Sequence, residues 1–218
     1  MSLSYPLSLG AFWDLLPIST VVMDCAPQLE TSGTGAGQQL IREVAPALWR
    51  GSVTLGRITP TEAADVMALI DLVRQPGASF LACDLTQPCP ALDPDGSVLG
   101  VATPAVQAMT ASHRELKLTG LPANYQLRRG DMVGVTWGAS PLRYGLHRIV
   151  VAADADAFGQ TGWIEVAPAL PAAVTVAAQA TLARPAIKAI IVPGSARAGT
   201  LRRGLFEGVS FDFIQTMR

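Results

Sequence analysis

Charge is scarce in this sequence: Asp, Glu, Lys and Arg make up 15% of 218 residues, against 50% hydrophobic ones. A chain so composed can bury a substantial core, and a surface this poor in charge suits coverage by other copies or partners. An obligate assembly is expected. A basic excess is also missing, since the formal net charge is −1 and the isoelectric point is near 6.1. That disfavours the electrostatic footprint of direct DNA recognition or of binding to anionic lipid. Three cysteines, Cys25, Cys83 and Cys89, cannot all pair within the chain, and none forms a Cys-x-x-Cys motif, so they read as reduced thiols. The two histidines, His113 and His147, have no second His or Cys at metal-ligand spacing. Structural roles are expected for both, with no metal and no cofactor. No run approaches the apolar length of a membrane span. The start, Met1-Ser2-Leu3-Ser4-Tyr5-Pro6, lacks the basic region and apolar core of a signal peptide, so folding in a cytoplasm is expected.

What is present is organised around one helix. Thr59-Pro60-Thr61-Glu62 supplies a cap, a proline at the first helical position and a Thr-x-x-Glu capping box. Ala63, Val66, Met67, Ile70 and Val73 then fall on one stripe, leaving Glu62, Asp65 and Arg74 in water. The spacing predicts a helix from Thr59 to Arg74, roughly 23 Å long at about 1.5 Å per residue. Gln75-Pro76-Gly77 ends it before the strand-like Ser79-Phe80-Leu81-Ala82-Cys83, so a helix packed on a sheet is the expected unit.

Ahead of the helix, the apolar stretch 7–16 places Phe12 and Trp13 against a hydrophobic surface, and Ser19-Thr20-Val21-Val22-Met23 reads as a strand ended by Pro27. Glu30 to Gln38 is a polar, glycine-rich connection, and Ala47 to Leu55 alternates as a strand with one buried face. Together these predict a long hairpin whose tip orders against a neighbouring subunit. After the helix, 87–96 carries prolines and an Asp-Gly pair and reads as an exposed connection. From Arg114 onward short strands are expected at 115–119, 131–137, 142–151, 162–166 and 174–182, separated by Gly and Pro, as in a small antiparallel barrel or sandwich. Strand character returns at 186–192 and 208–214, where Val209, Phe211 and Phe213 share one side. The expected fold is therefore mainly β with one principal α-helix. A discontinuous sheet domain (1–106 and 186–218) carries an inserted antiparallel barrel or sandwich (107–185).

Candidate chemistry is thin. Gly33-Thr34-Gly35-Ala36-Gly37 resembles a phosphate loop without the Gly-Lys-Ser/Thr that would complete it, so a flexible loop is the better reading. Asp93-Pro94-Asp95-Gly96 lacks the further ligands of a calcium loop and reads as a turn. Cys83 beside Asp84 has no assignable base, and a buried strand thiol is the simpler view. Asp154 and Asp156 suit an acid/base pair but read as solvated loop carboxylates. In Arg129-Gly130-Asp131 the glycine serves a turn and Asp131 bonds nearby amides. Arg202-Arg203 is a small basic spot suited to an intersubunit ion pair. No catalytic, cofactor or metal residue is assigned, and a non-enzymatic role is expected.

Leu127-Arg128-Arg129-Gly130-Asp131, Leu142-Arg143-Tyr144-Gly145-Leu146-His147-Arg148-Ile149-Val150, Asp156-Ala157-Phe158-Gly159 and Ile164-Glu165-Val166-Ala167-Pro168-Ala169-Leu170-Pro171 together resemble a distal tail protein of long-tailed, siphovirus-type bacteriophages and prophages. The helix followed by Phe80-Leu81-Ala82-Cys83-Asp84 is similar to that family's helix-then-strand unit. The resemblance implies a tail-tube-like domain and a peripheral barrel, and a virion subunit assembled in the host cytoplasm. It implies a ring, typically a hexamer, joining the tail tube protein to the hub or baseplate proteins, with DNA passing through the lumen without specific binding and no membrane insertion. A neighbouring tube or hub component is the structural alternative. A host-surface carbohydrate-binding module, with Trp137, Tyr144 or Trp163 stacking on sugar rings, is the alternative from another class, although core roles are expected for these aromatics. An enzyme using Cys83 or Asp154 and Asp156 is a third.

Overall fold

The computed structural model describes residues 4–35 and 37–218; Met1 to Leu3 of the expected start, and Ala36 of the glycine-rich segment, lie outside the described residues. The protein is mainly β, with one α-helix, a closed six-stranded antiparallel barrel and a second sheet. It divides into two compact units, one of 1–14, 79–188 and 217–218, the other of 15–78 and 189–216.

The second unit is built on two long strands, β1 (Ile18–Gly33) and β2 (Gln39–Leu55), paired antiparallel along their whole length. Pro27 does not end β1, contrary to expectation. A register shift falls there, between Ala26↔Leu48 and Gln28↔Ala45, and the missing amide is tolerated because β1 has a neighbour on one side only. The connection shrinks to the tip, where Thr34 and Gln38 bond each other. The helix α1 (Pro60–Val73) begins with the full capping box, Thr59 Oγ1 accepting from the Glu62 amide and Glu62 accepting from the Thr59 amide. The Thr59 hydrogen bonds hold the Glu62 carboxyl below its ordinary range. Ala63, Val66, Ile70 and Val73 are buried, with Met67 half-buried at the border of the stripe. The helix packs on the last strand, whose Val209, Phe211 and Phe213 are buried on one side.

In the barrel unit, two 3-10 turns, Leu9–Ala11 and Trp13–Leu15, deliver Phe12 and Trp13 to β3 (Phe80–Cys83). The Phe80 ring lies 4.6 Å from that of Phe12 and 6.1 Å from that of Trp13. The barrel strands are β4 (Ala105–Met109), β5 (Glu115–Thr119), β6 (Met132–Trp137), β7 (Arg143–Val151), β8 (Ile164–Ala167) and β9 (Gln179–Thr181), closed in the order β4-β5-β8-β7-β6-β9. Closure removes the exposed edges that short strands would otherwise present. Leu116, Leu118, Val133, Val135, Ile149 and Ile164 fill the interior. β4 has no counterpart in the sequence reading, and β9 is much shorter than the expected 174–182.

The chain then enters β10 (Ala186–Ile191), whose latter residues count with the second unit, and ends in the hairpin of β11 (Arg197–Arg202) and β12 (Leu205–Gln215). β12 is held between β2 on one side and β10 and β11 on the other. The β11–β12 connection has positive φ at both central residues, Arg203 at 49° and Gly204 at 85°, the geometry of a two-residue hairpin turn.

The expected boundary after residue 106 leaves 79–104 with the sheet domain, whereas packing places this segment in the barrel unit. Two buried carboxylates account for that. Asp131 Oδ1 accepts from Gln87 Nε2 and the Ala91 amide, and Asp93 Oδ2 accepts from the Leu99 amide and the Tyr125 hydroxyl.

Candidate functional site

The feature best placed to act on another molecule is the distal part of the β1–β2 ribbon. β12 pairs with β2 only over residues 50–54, so 39–48 of β2 have β1 as their sole strand partner among the described residues. At about 3.3 Å per residue this two-stranded portion is roughly 30 Å long. A ribbon of two strands with no layer against it is marginal in water. Leu29, Leu40, Ile41 and Val44 are nevertheless exposed, Ile41 at 62% and Val44 at 63%. Leu29 and Ile41 fall on one face of the pleat, and Leu40, opposite Ser32, falls on the other. Val44 is the extra residue at the register shift between Gln28 and Leu29. Apolar side chains on both faces fit a ribbon wedged between neighbours. Burying what each leaves in water contributes on the order of 1 kcal/mol.

Charge differs between β1, at one end of this sheet, and β11, which lies off its main path beside β12; within the ribbon Asp24 stands opposite Arg50 and Glu30 opposite Arg42. The charged residues of β1 are Asp24 and Glu30, both acidic, whereas those of β11 and its turn are Arg197, Arg202 and Arg203. Among the described residues β1 and β11 each have a single strand neighbour. None of these five charges makes an ion pair among the described residues; the ion pair in this region is Arg57 with Glu207, at 2.8 Å.

The barrel carries a polar groove of about 570 Å³ lined by Gln107, Ala108, Lys117, Ala155, Gln160, Thr161 and Gly162 together with Asp154 and Asp156. Gln107 is the extra residue of a bulge between the Val106↔Leu118 and Ala108↔Lys117 pairs, a device that re-aims a side chain. Its amide Nε2 donates to Gln160 Oε1 at 2.7 Å. Asp156 Oδ1 shapes the opposite wall by accepting from the amides of Phe158 and Gln160. Gly159, at φ 73°, sits where a Cβ would come 2.0 Å from the Leu121 carbonyl oxygen. Trp163 follows the last lining residue and is 44% exposed, so the expected core role does not hold for it. Lys117 Nζ lies 4.8 Å above its ring, a cation–π contact worth about 0.5–1 kcal/mol at an exposed site.

The remaining candidates have structural surroundings. Trp137 is buried at 7% exposure, and Tyr144 is half-buried, with burial raising its phenol above the ordinary value. Cys83 is buried and accepts from Arg184 Nη2 at 3.8 Å; burial pushes its thiol up, opposite to what a nucleophile needs. The same guanidinium bonds both Asp14 carboxylate oxygens, which raises its already high pKa further. His147 is buried, its Nδ1 2.8 Å from the Pro168 carbonyl oxygen. Because a carbonyl only accepts, the proton resides on Nδ1, and Nε2 has no hydrogen-bond partner among the described residues. Desolvation lowers its pKa to about 4, against the smaller opposing effect of the Pro168 bond. His113 sits in the β4–β5 turn at φ 55°. Asp131 is fully buried, so Arg129-Gly130-Asp131 is not presented for adhesion. Asp93 is likewise inside its turn, while Asp95 caps the Ser97 amide and is held low by that bond. Among the described residues no three His, Cys, Asp or Glu side chains cluster as metal ligands, and no helix is long and apolar enough to cross a membrane.

Comparison with family models finds no match for this chain, and comparison with curated proteins finds none either.

Proposed function

We propose that this chain is a non-enzymatic structural subunit of a bacteriophage tail, a distal tail protein whose copies close into a ring, typically of six, between the tail tube and the hub or baseplate. The observation that carries the reading is the β1–β2 ribbon, whose apolar side chains on both faces are left exposed by the described residues. The charge split supports a head-to-tail contact, an acidic β1 edge of one copy meeting a basic β11 edge of the next. Such heterologous contacts generate a ring when the rotation closes. DNA passes through the lumen of this assembly without specific contact, consistent with a net charge of −1.

Mass photometry and negative-stain imaging of the purified protein test the reading, together with labelling of the protein in tail particles. Closed rings of uniform subunit number, and label at the end of the tube, are the expected results. A protein that stays monomeric at micromolar concentration and is absent from tails overturns it.

A further inference from the structure

We propose that the outward line of α1, Thr61, Ala64, Ala68 and Leu72, is the seat on which the distal β1–β2 ribbon of a neighbouring copy lies, with Leu29 and Ile41 of that copy against it. The seat rests on the ring assembly proposed above, and both elements belong to one compact unit, 15–78 with 189–216.

With about 3.6 residues per turn, Ala63, Val66, Ile70 and Val73 face the sheet, and Thr61, Ala64, Ala68 and Leu72 fall on the far side. A helix with water behind it carries its charges there. Along this line the free charge is Asp65, because Glu62 is folded back onto the Thr59 amide and Asp71 bonds Arg74 Nη1 at 3.1 Å. Ala64 and Ala68 are exposed and Leu72 is half-buried in the single chain; a helix apolar on both sides is one that is covered on both. The ribbon supplies the cover. On β1, Val21 and Cys25 point to the buried side of the sheet, opposite Val53 and Trp49. The extra residues of both distal register shifts lie on β2, so the alternation of β1 runs on unbroken. Leu29 and Thr31, with Ile41 opposite Thr31, therefore continue that same side. At the root this side is closed over, with Val53 and Phe213 buried and α1 packed on β12; along the ribbon the described residues leave it exposed, Leu29 at 49%. The helix of the next copy is the equivalent layer. Bulges on β2 bend the ribbon out of the plane of its own sheet, as reaching a neighbour's helix requires, and the single methyl groups of Ala64 and Ala68 let two strands lie close. The ribbon face carries Glu43 beside Leu29, the seat carries Asp65, and neither holds a cation. The contact is thus apolar and, unlike that between β1 and β11, does not weaken as salt rises.

The test places a photo-reactive benzoylphenylalanine at Ile41 and mixes this protein with heavy-isotope-labelled wild type. Trypsin releases the whole of α1 as the peptide 58–74, between Arg57 and Arg74. In assembled rings the light probe is expected to attach to the heavy 58–74 peptide. A reciprocal probe at Asp65 is expected to attach to the peptide that ends at Arg42 and contains Leu29 and Ile41. Ala68→Glu sets bulk and a further carboxylate beside Asp65 and Glu43, and is expected to weaken ring formation by about tenfold or more. Because Ala68 is exposed, the same variant is expected to keep the wild-type circular dichroism spectrum and Tm. Mass photometry of every sample separates the seat from the ring itself. Rings whose probes attach to another segment, to the ribbon of another copy or to a different tail protein overturn the α1 seat and leave the ring standing, as do rings that Ala68→Glu leaves undiminished. Wild-type protein that forms no rings overturns both.

Discussion

Phe213 covers Gly51 across the β12–β2 pair: the two residues are directly opposite, and a Cβ on Gly51 would stand 2.5 Å from Phe213 Cζ and 2.2 Å from the Val22 carbonyl oxygen. The first contact could be relieved by moving a ring, but the second is with the backbone of β1. Gly51→Ala is therefore expected to cost about 1–3 kcal/mol or more by forcing strands apart at the root of the ribbon. At about 2–4 °C per kcal/mol for a chain of this size, calorimetry should show a fall of several degrees in Tm. An unchanged Tm would mean that the close approach does not exist.

Asp131 gathers three donors: Gln87 Nε2 at 2.7 Å and the Ala91 amide at 2.9 Å on one oxygen, and the Arg128 amide at 2.7 Å on the other. Removing the carboxylate leaves two part-buried backbone amides without acceptors, each costing about 1–3 kcal/mol. Asp131→Ala should lower the urea midpoint markedly. Arg129→Ala, which loses a bond from an exposed guanidinium to the Val150 carbonyl, should lower it little. Equal effects would contradict a structural role for Asp131.

Sequence patterning revealed elements where one face is buried and stayed silent where none is. The helix was legible because Ala63, Val66, Ile70 and Val73 are buried at helical spacing behind a complete capping box. The root of β2 was legible for the same reason, with Trp49, Val53 and Leu55 buried. The distal ribbon shows no alternation because both of its faces meet solvent within one chain, and Pro27 looked like a terminator because an outer strand with a register shift cannot be told from a loop by composition. β11, exposed along almost its whole length, is defined only by the Arg203-Gly204 turn and its pairing with β12. The groove was invisible for a different reason. Gln107, Lys117 and Gln160 come together only when the barrel closes, leaving Asp154 and Asp156 to be read as two loop carboxylates.

His147 makes the barrel sensitive to acid. Its folded pKa of about 4 lies below the ordinary 6.5, so between these values the unfolded chain binds a proton that the folded chain does not. Stability is thus full above about pH 6.5 and declines as pH falls toward 4, by an amount on the order of 3 kcal/mol. His147→Leu loses the Pro168 bond but also the titrating group. Denaturant melts from pH 4 to 7 should show a shallower slope for this variant than for the wild type, and parallel slopes would show that His147 is not the source.

The exposed apolar residues of the ribbon separate folding from association. Leu40, Ile41 and Val44 are each more than half exposed, so replacing all three by serine should change monomer stability by no more than about 0.5 kcal/mol per site. In a ring the same residues are covered at every interface, and the losses accumulate around the closure. The triple variant should keep the wild-type circular dichroism spectrum while light scattering finds monomers in place of rings. Rings of undiminished stability would place the interface elsewhere.

Charge reversal tests the direction of the contact. If the acidic β1 edge of one copy meets the basic β11 edge of the next, Arg202→Glu with Arg203→Glu sets like charges against Asp24 and Glu30, and assembly should weaken most at low salt. Asp24→Arg with Glu30→Arg should weaken it similarly. Mixing the two variants sets altered edge against altered edge and wild-type edge against wild-type edge when the copies alternate, so mixed rings of even subunit number should re-form. A single chain carrying all four substitutions should restore rings by itself. Sedimentation velocity at two salt concentrations reads the outcome: recovery in the fourfold variant requires that these two edges face one another, whereas continued loss would mean that the arginines meet some other surface.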